Sequence, residues 1–192
     1  AWEERGFVPR EVIRKLGSLG LLGITYPPAF GGSGADVVTS VVFQEALSRS
    51  TFGGFVVTVL VHTDMASPHL VRAGSKAQLD KYLRKVITGE LVTAVAVTEP
   101  DAGSDVAAIK TRAVRDGDDW VINGSKIYIT NAATADWLCL LAITDPAAGY
   151  GGFSQIIVPT DSPGFSYQLL DKIEWELADG YRRIKMKIKP GW

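Results

Sequence analysis

A chain of 192 residues, 46% of them hydrophobic, holds enough apolar material for one ordinary domain or two small ones, which excludes a disordered or fibrous class. Its formal net charge of −1 lacks the basic excess of a nucleic-acid binder, and its single cysteine, Cys139, excludes an intrachain disulfide, so a reducing, intracellular setting is expected. The longest apolar run, residues 52–61, is about half of the roughly 20 residues a spanning helix needs, and the chain shows no leader pattern, so no membrane partner is expected.

Pro9 followed by Val12, Ile13, Leu16 and Leu19 at helical spacing predicts an amphipathic helix that stops among Gly17, Gly20 and Gly23. Residues 25–34 carry Pro27, Pro28, Gly31, Gly32 and Gly34, which cannot sit together in a helix or central strand. A glycine-rich phosphate loop is the sharper alternative for them, but no Lys-Ser/Thr pair follows, and a structural turn is preferred. Asp36 is a natural N-cap for a second helix marked by Val37, Val38, Val41, Val42 and Leu47. His62 and His69 stand alone, without the carboxylate and serine of a hydrolytic triad, and read as packing or surface residues; no metal site is expected. Ser75 caps a further helix whose Leu79, Tyr82, Leu83, Val86 and Ile87 share a face, with Lys76, Lys81, Arg84 and Lys85 solvated.

Past Gly89 the periodicity changes. Residues 109–115, 120–123, 126–130, 137–144 and 155–159 are short β-type runs separated by Asp-Gly, Asn-Gly, Asp-Pro or Gly-Gly turn signals. Helices followed by strands predict an α+β chain, with a helical domain over residues 1–90 and a small β-barrel domain over 91–192 that turns irregular after about 172. The helix-to-sheet boundary is expected within 88–91.

The stretch 92–105 is the point on which function turns. It begins as a buried strand and breaks at Pro100, which has no amide to donate, and Thr98, Gly103 and Ser104 then supply hydroxyls and close backbone approach. Thr98-Glu99-Pro100-x-Ala102-Gly103-Ser104-Asp105, followed by Asn123-Gly124-x-Lys126-x-Tyr128-Ile129-Thr130-Asn131, resembles the flavin-binding motifs of the acyl-CoA dehydrogenases. Pro27-x-x-Phe30-Gly31-Gly32-x-Gly34 and Gly74-Ser75-x-x-Gln78-x-x-x-Tyr82-Leu83 resemble that family's upstream landmarks, so the likeness covers residues 2–172.

The resemblance implies FAD as cofactor. Val97, Thr98, Gly103 and Ser104, with Tyr128, Ile129 and Thr130, fall at cofactor-binding positions; Thr98 would meet the flavin carbonyl edge and Thr130 would donate towards N5. Tyr128 replaces the family's usual tryptophan as the plate behind the ring, and Ser104 would also touch the acyl-CoA. The implied reaction is α,β-dehydrogenation of an acyl-CoA thioester, with hydride passing to flavin N5 and electrons to an electron-transferring flavoprotein, in a homo-oligomer. The implied compartment is cytoplasmic, or the mitochondrial matrix in a eukaryote. Taken singly, Thr98 and Thr130 are ordinary strand residues, Tyr128 is a candidate core aromatic, and Gly103 is a candidate turn residue. Glu99 and Asp105 are read as structural loop residues, and no catalytic residue is assigned.

The family's base lies in a C-terminal helical domain that these residues do not include, and its usual first helix lies upstream of Ala1, so a shortened form lacking that base is expected. A catalytically silent flavin- or acyl-CoA-binding fragment, an acyl-CoA oxidase and a flavin monooxygenase of the same fold remain open alternatives. After Lys172 the family pattern is lost through Glu174, Glu176, Asp179 and Tyr181, while alternating Ile184, Met186 and Ile188 suit one amphipathic strand.

Overall fold

The computed structural model describes residues 8–167 and the strand Ile184–Ile188; the divergent segment 174–181 lies outside the described residues. The chain divides into two compact units, Ala1–Ala94 and Val95–Trp192.

In the first unit, helix α1 (Arg10–Ser18) starts directly after Pro9, whose φ of −60° suits a helix entry. Ile13 is buried with Val8, Leu22, Leu47, Val59 and Val92, and Val12 and Leu16 pack against that cluster. The turn-rich segment holds a 3₁₀ turn, Pro28–Phe30, closed by Gly31 at φ 95°. In α2 (Val37–Ser48) the Asp36 carboxylate accepts from the Thr39 amide at 2.9 Å, the cap its sequence foretold. Leu47 is buried on this helix, whereas Val37, Val38, Val41 and Val42 form an exposed face.

Helices α3 (Gly53–Leu60) and α4 (Ser67–Ala73) are joined through a π-helical stretch, Val61–Ala66. A π turn releases backbone carbonyls from the regular ladder, and here hydroxyls take them. Ser67 Oγ and Thr93 Oγ1 donate to the His62 carbonyl, and Tyr26 OH to that of Thr63. The His62 ring is fully buried, with Nδ1 accepting from the Thr93 amide at 3.2 Å and Nε2 3.0 Å from the Val86 carbonyl. This histidine is a structural tie, in keeping with a packing role. The next helical run opens with a capping box between Ser75 and Gln78 and passes through α5 (Lys76–Gln78), a second π stretch, Leu79–Leu83, and α6 (Arg84–Ile87). Tyr82, Leu83, Val86 and Ile87 are buried on one face, as their spacing requires.

Helix α6 thus ends at Ile87, and β1 (Thr93–Ala96) is the first strand among the described residues. It is followed by β2 (Arg112–Asp116), β3 (Asp119–Gly124), β4 (Trp137–Ile143), β5 (Phe153–Pro159) and β6 (Ile184–Ile188), in the sheet order β1-β4-β2-β3-β6 with β5 also on β4. Strands β2 and β3 form a hairpin with Asp116 opposite Asp119, and Gly117 at φ 62° supplies the turn. Strands β4 and β5 pair over their full length, from Trp137 opposite Pro159 to Ile143 opposite Phe153. The alternating terminal segment is a strand, antiparallel to β3.

One expected strand is absent. Residues 126–130 leave the sheet after Gly124 and run irregularly, with Tyr128 at φ 58° and Asn131 at φ 71°, values no strand accommodates. Among the described residues no helix is long and apolar enough to cross a membrane, and no cluster of His, Cys, Asp or Glu is arranged to hold a metal.

Candidate functional site

The chain leaves β1 through the half-buried Val97 and Thr98 and turns tightly, the Glu99 amide donating to the Ala102 carbonyl at 2.8 Å and the Ala102 amide to that of Glu99 at 3.2 Å. Pro100 and Asp101 form the exposed tip, where a missing donor costs nothing. Glu99 turns inward instead.

Its Oε2 accepts from the Lys110 amide at 2.6 Å, and its Oε1 from the Thr111 amide at 3.0 Å and from Lys126 Nζ at 2.8 Å. The two side chains of this ion pair are 5% and 3% exposed. Burial by itself would raise the Glu99 pKa, but the bonds from Lys126, Thr111 and Lys110 outweigh it and hold the carboxyl below its ordinary range. Burial also lowers the Lys126 pKa, against the opposing pull of Glu99. Lys110 and Thr111 immediately precede β2 and Lys126 follows shortly after β3, so Glu99 closes the open end of the β2–β3 hairpin. Gly124 is required there, since a Cβ would lie 2.2 Å from Thr111 Oγ1.

Lys126 reaches back once more, and its neighbour once. Its Nζ donates to the Val97 carbonyl at 2.9 Å, and the neighbouring Ile127 amide donates to that of Thr98 at 2.9 Å. Two consecutive residues of the second motif therefore hold three consecutive residues, Val97, Thr98 and Glu99. Beyond them the chain swings outward: Tyr128 is 68% exposed and left-handed, and the run ends in a turn in which the Thr134 and Ala135 amides donate to the Asn131 carbonyl at 2.9 and 2.8 Å. The exposure of Tyr128 excludes the core-aromatic alternative. A bulky residue held in the left-handed region stores about 1–3 kcal/mol, a cost usually met at working sites.

The structure thus brings Val97 and Thr98 together with the loop that carries Tyr128, Ile129 and Thr130. The hydroxyls of Thr98 and Thr130 form no hydrogen bond among the described residues. Gly103 and Ser104 are exposed on the far side of the Glu99–Ala102 turn, and no hydrogen bond joins Ser104 to the second loop among the described residues. A Cβ on Gly103 would meet nothing within 4 Å, and its φ is not positive, so internal packing does not ask for glycine there. Glu99 is confirmed as a structural loop residue, and Asp101 pairs with Lys110 at 2.7 Å on the surface. The part played by Lys126 is the feature that sequence reading missed; a lysine at fixed spacing between Gly124 and Tyr128 was its only trace. Cys139 is buried, its thiol pushed up to about 11, which removes it as a nucleophile at neutral pH.

Comparison with known proteins places both units. Residues 1–90 match the acyl-CoA dehydrogenase N-terminal domain, and residues 94–174 match the acyl-CoA dehydrogenase middle domain. The mitochondrial isovaleryl-CoA dehydrogenase of Pongo abelii is 42% identical over 167 residues, covering 85% of this chain and 39% of the relative. The crystal structure of acyl-CoA dehydrogenase from Geobacillus kaustophilus superposes with a TM-score of 0.82 at 37% identity, over 98% of this chain and 48% of that one. A glutaryl-CoA dehydrogenase from Mycobacterium smegmatis, solved in complex with FADH2, gives a TM-score of 0.81 at 31% identity, over 98% and 46% of the two chains. The chain therefore spans less than half the length of each of these relatives.

Proposed function

This chain belongs to the acyl-CoA dehydrogenase family, and we propose that it binds FAD and takes part in the α,β-dehydrogenation of an acyl-CoA thioester. The observation that carries the reading is the corner built from residues 97–98 and 126–131. It offers an exposed aromatic plate in a strained conformation and two hydroxyls that form no hydrogen bond among the described residues, and the first motif adds a glycine that packing does not explain. Those are the elements a flat heteroaromatic ring with a polar edge requires, so the residues present fit the cofactor. The FADH2 complex of the Mycobacterium smegmatis relative supports the same assignment.

In this reading Tyr128 backs the ring, with Ile129 beside it. The Thr98 hydroxyl bonds the carbonyl edge from Val97–Thr98, and Thr130 donates to the ring nitrogen nearest the substrate. Gly103 leaves room for the ligand, and Ser104 contacts the acyl-CoA. When bound, FAD supplies a hydride acceptor, and the electrons pass on to an electron-transferring flavoprotein, the family assembly being a homo-oligomer. Glu99 cannot serve as the base that removes the α-proton, because both of its oxygens are engaged; Asp101 is held by Lys110. We accordingly expect the 192-residue polypeptide, assayed alone, to bind flavin without sustained turnover.

The test is a titration of the purified polypeptide with FAD, followed by flavin fluorescence and the visible absorption band. Thr130→Val should weaken binding by the worth of one hydrogen bond, about 0.5–1.5 kcal/mol, and Tyr128→Ala should weaken it more. Unchanged affinity in both variants would show the ring to lie elsewhere. Steady oxidation of octanoyl-CoA or isovaleryl-CoA with an artificial acceptor, abolished by replacing one carboxylate of this chain, would show that these 192 residues carry a base of their own.

A further inference from the structure

We propose that Glu99 and Lys126 are positioning residues of this flavin site, their buried ion pair fixing the Thr98 corner against the Tyr128–Thr130 loop; the proposal rests on the flavin reading above. Neither charged group is turned outward. The Glu99 carboxylate is occupied by Lys126 and by the Lys110 and Thr111 amides, and the Lys126 ammonium by Glu99 Oε1 and the Val97 carbonyl. The pair therefore acts on a ligand only through its neighbours.

Those neighbours are the proposed ligand contacts. Val97 and Thr98 precede Glu99 directly, and Tyr128 follows Lys126 by two positions, across the Ile127 amide that donates to Thr98. The loop has left the sheet by this point, so no strand ladder fixes where Tyr128 and Thr130 stand. An apolar pair of similar volume would stabilise the fold as well or better, because taking two charges out of water offsets most of their attraction. What the ion pair adds is direction. Each of its bonds has a required length and angle, and together they set the separation of the two loops.

The experiment uses the 192-residue chain and its variants Glu99→Gln, Lys126→Met, Lys126→Arg and Glu99→Asp. Hydrogen exchange of the flavin-free protein is read at the Ile127 amide, with the Leu140 amide in β4 as control. FAD affinity and the visible circular-dichroism band of bound flavin at saturation are read in parallel. In Lys126→Met and Glu99→Gln the Ile127 amide should gain more in exchange rate than the Leu140 amide, which reports global opening. FAD should bind about tenfold more weakly, with an altered flavin band. Lys126→Arg, which keeps the charge, should recover part of the affinity.

Wild-type protein that fails to bind FAD would bring down the flavin reading and this proposal with it. Wild-type binding, with the same affinity and the same band in the variants, would overturn the positioning role alone. So would variants that lose thermal stability but keep both flavin readouts below their melting temperature. Should Lys126→Met not fold, Glu99→Asp decides the matter, since it keeps both charges while drawing the carboxylate back by one methylene. Unchanged Ile127 exchange and flavin band in that variant would refute the proposal.

Discussion

In the helical unit, the carbonyls that the π stretch Val61–Ala66 releases are met from within, His62 by Ser67 and Thr93 and Thr63 by Tyr26, while the His62 ring bridges Val86 and Thr93. In the β unit, Glu99 and Lys126 are engaged just as fully, yet one residue away Thr98 keeps a hydroxyl with no partner among the described residues, and two residues away Tyr128 stands in solvent. Both regions bury polar groups, and both contain irregular backbone. Irregular geometry whose polar groups are answered internally is architecture, whereas irregular geometry that leaves donors and an aromatic face unanswered points to a partner outside the chain.

The contrast is open to attack at three points. Lys126→Met leaves the Glu99 carboxylate buried without its counter-charge and should cost about 3–5 kcal/mol in denaturant unfolding. The same carboxyl sets an acid limb. Its folded pKa lies below its ordinary value of 4.5, so its stabilisation is complete above that pH and drains away as the pH falls through the folded value. Glu99→Gln should lose that limb, as melting temperatures measured across the acid range would show. In the helical unit, His62→Leu keeps the volume but removes the ring's bonds to the Thr93 amide and to the Val86 carbonyl, which also accepts from the Gly89 amide, and should cost about 1–3 kcal/mol. A loss well under 1 kcal/mol would mean that water or a shifted helix replaces the ring. The smallest effect runs the other way. Tyr128→Gly relieves a left-handed backbone and should stabilise the flavin-free protein by about 1 kcal/mol while weakening FAD binding. Destabilisation there would show Tyr128 to belong to the architecture after all.

Three helical runs were legible because their evidence is local: Pro9, Asp36 and Ser75 mark their starts, and the 79–87 face repeats at helical spacing. The β2–β3 hairpin was legible through Asp116-Gly117 for the same reason. Residues 126–130 misled because Ile, Tyr and Thr favour strands, whereas the conformation there is set by tertiary bonds from Lys126 and Ile127 to residues almost thirty positions earlier. The exposed valines of α2 carry the same lesson, since helical spacing identifies a face without saying what covers it. The two motifs were visible as residues; that they are tied to each other by a buried ion pair was not, because no spacing rule encodes a contact across an intervening hairpin.

That hairpin gives the closure of Glu99 on Lys126 a place in time. The two residues are 27 positions apart, and strands β2 and β3 lie wholly between them. Closing such a loop in an open chain is opposed by its entropy, but a hairpin zipped from Gly117 outward draws Thr111 and Lys126 together first and shortens what remains to be closed. On that route the carboxylate would dock into a cage already assembled, late and after the barrier. Lys126→Met should therefore speed unfolding and leave refolding near the wild-type rate in stopped-flow measurements. The proposed cofactor corner, which hangs on the same bonds, would be among the last parts of the chain to take shape and the first to come undone.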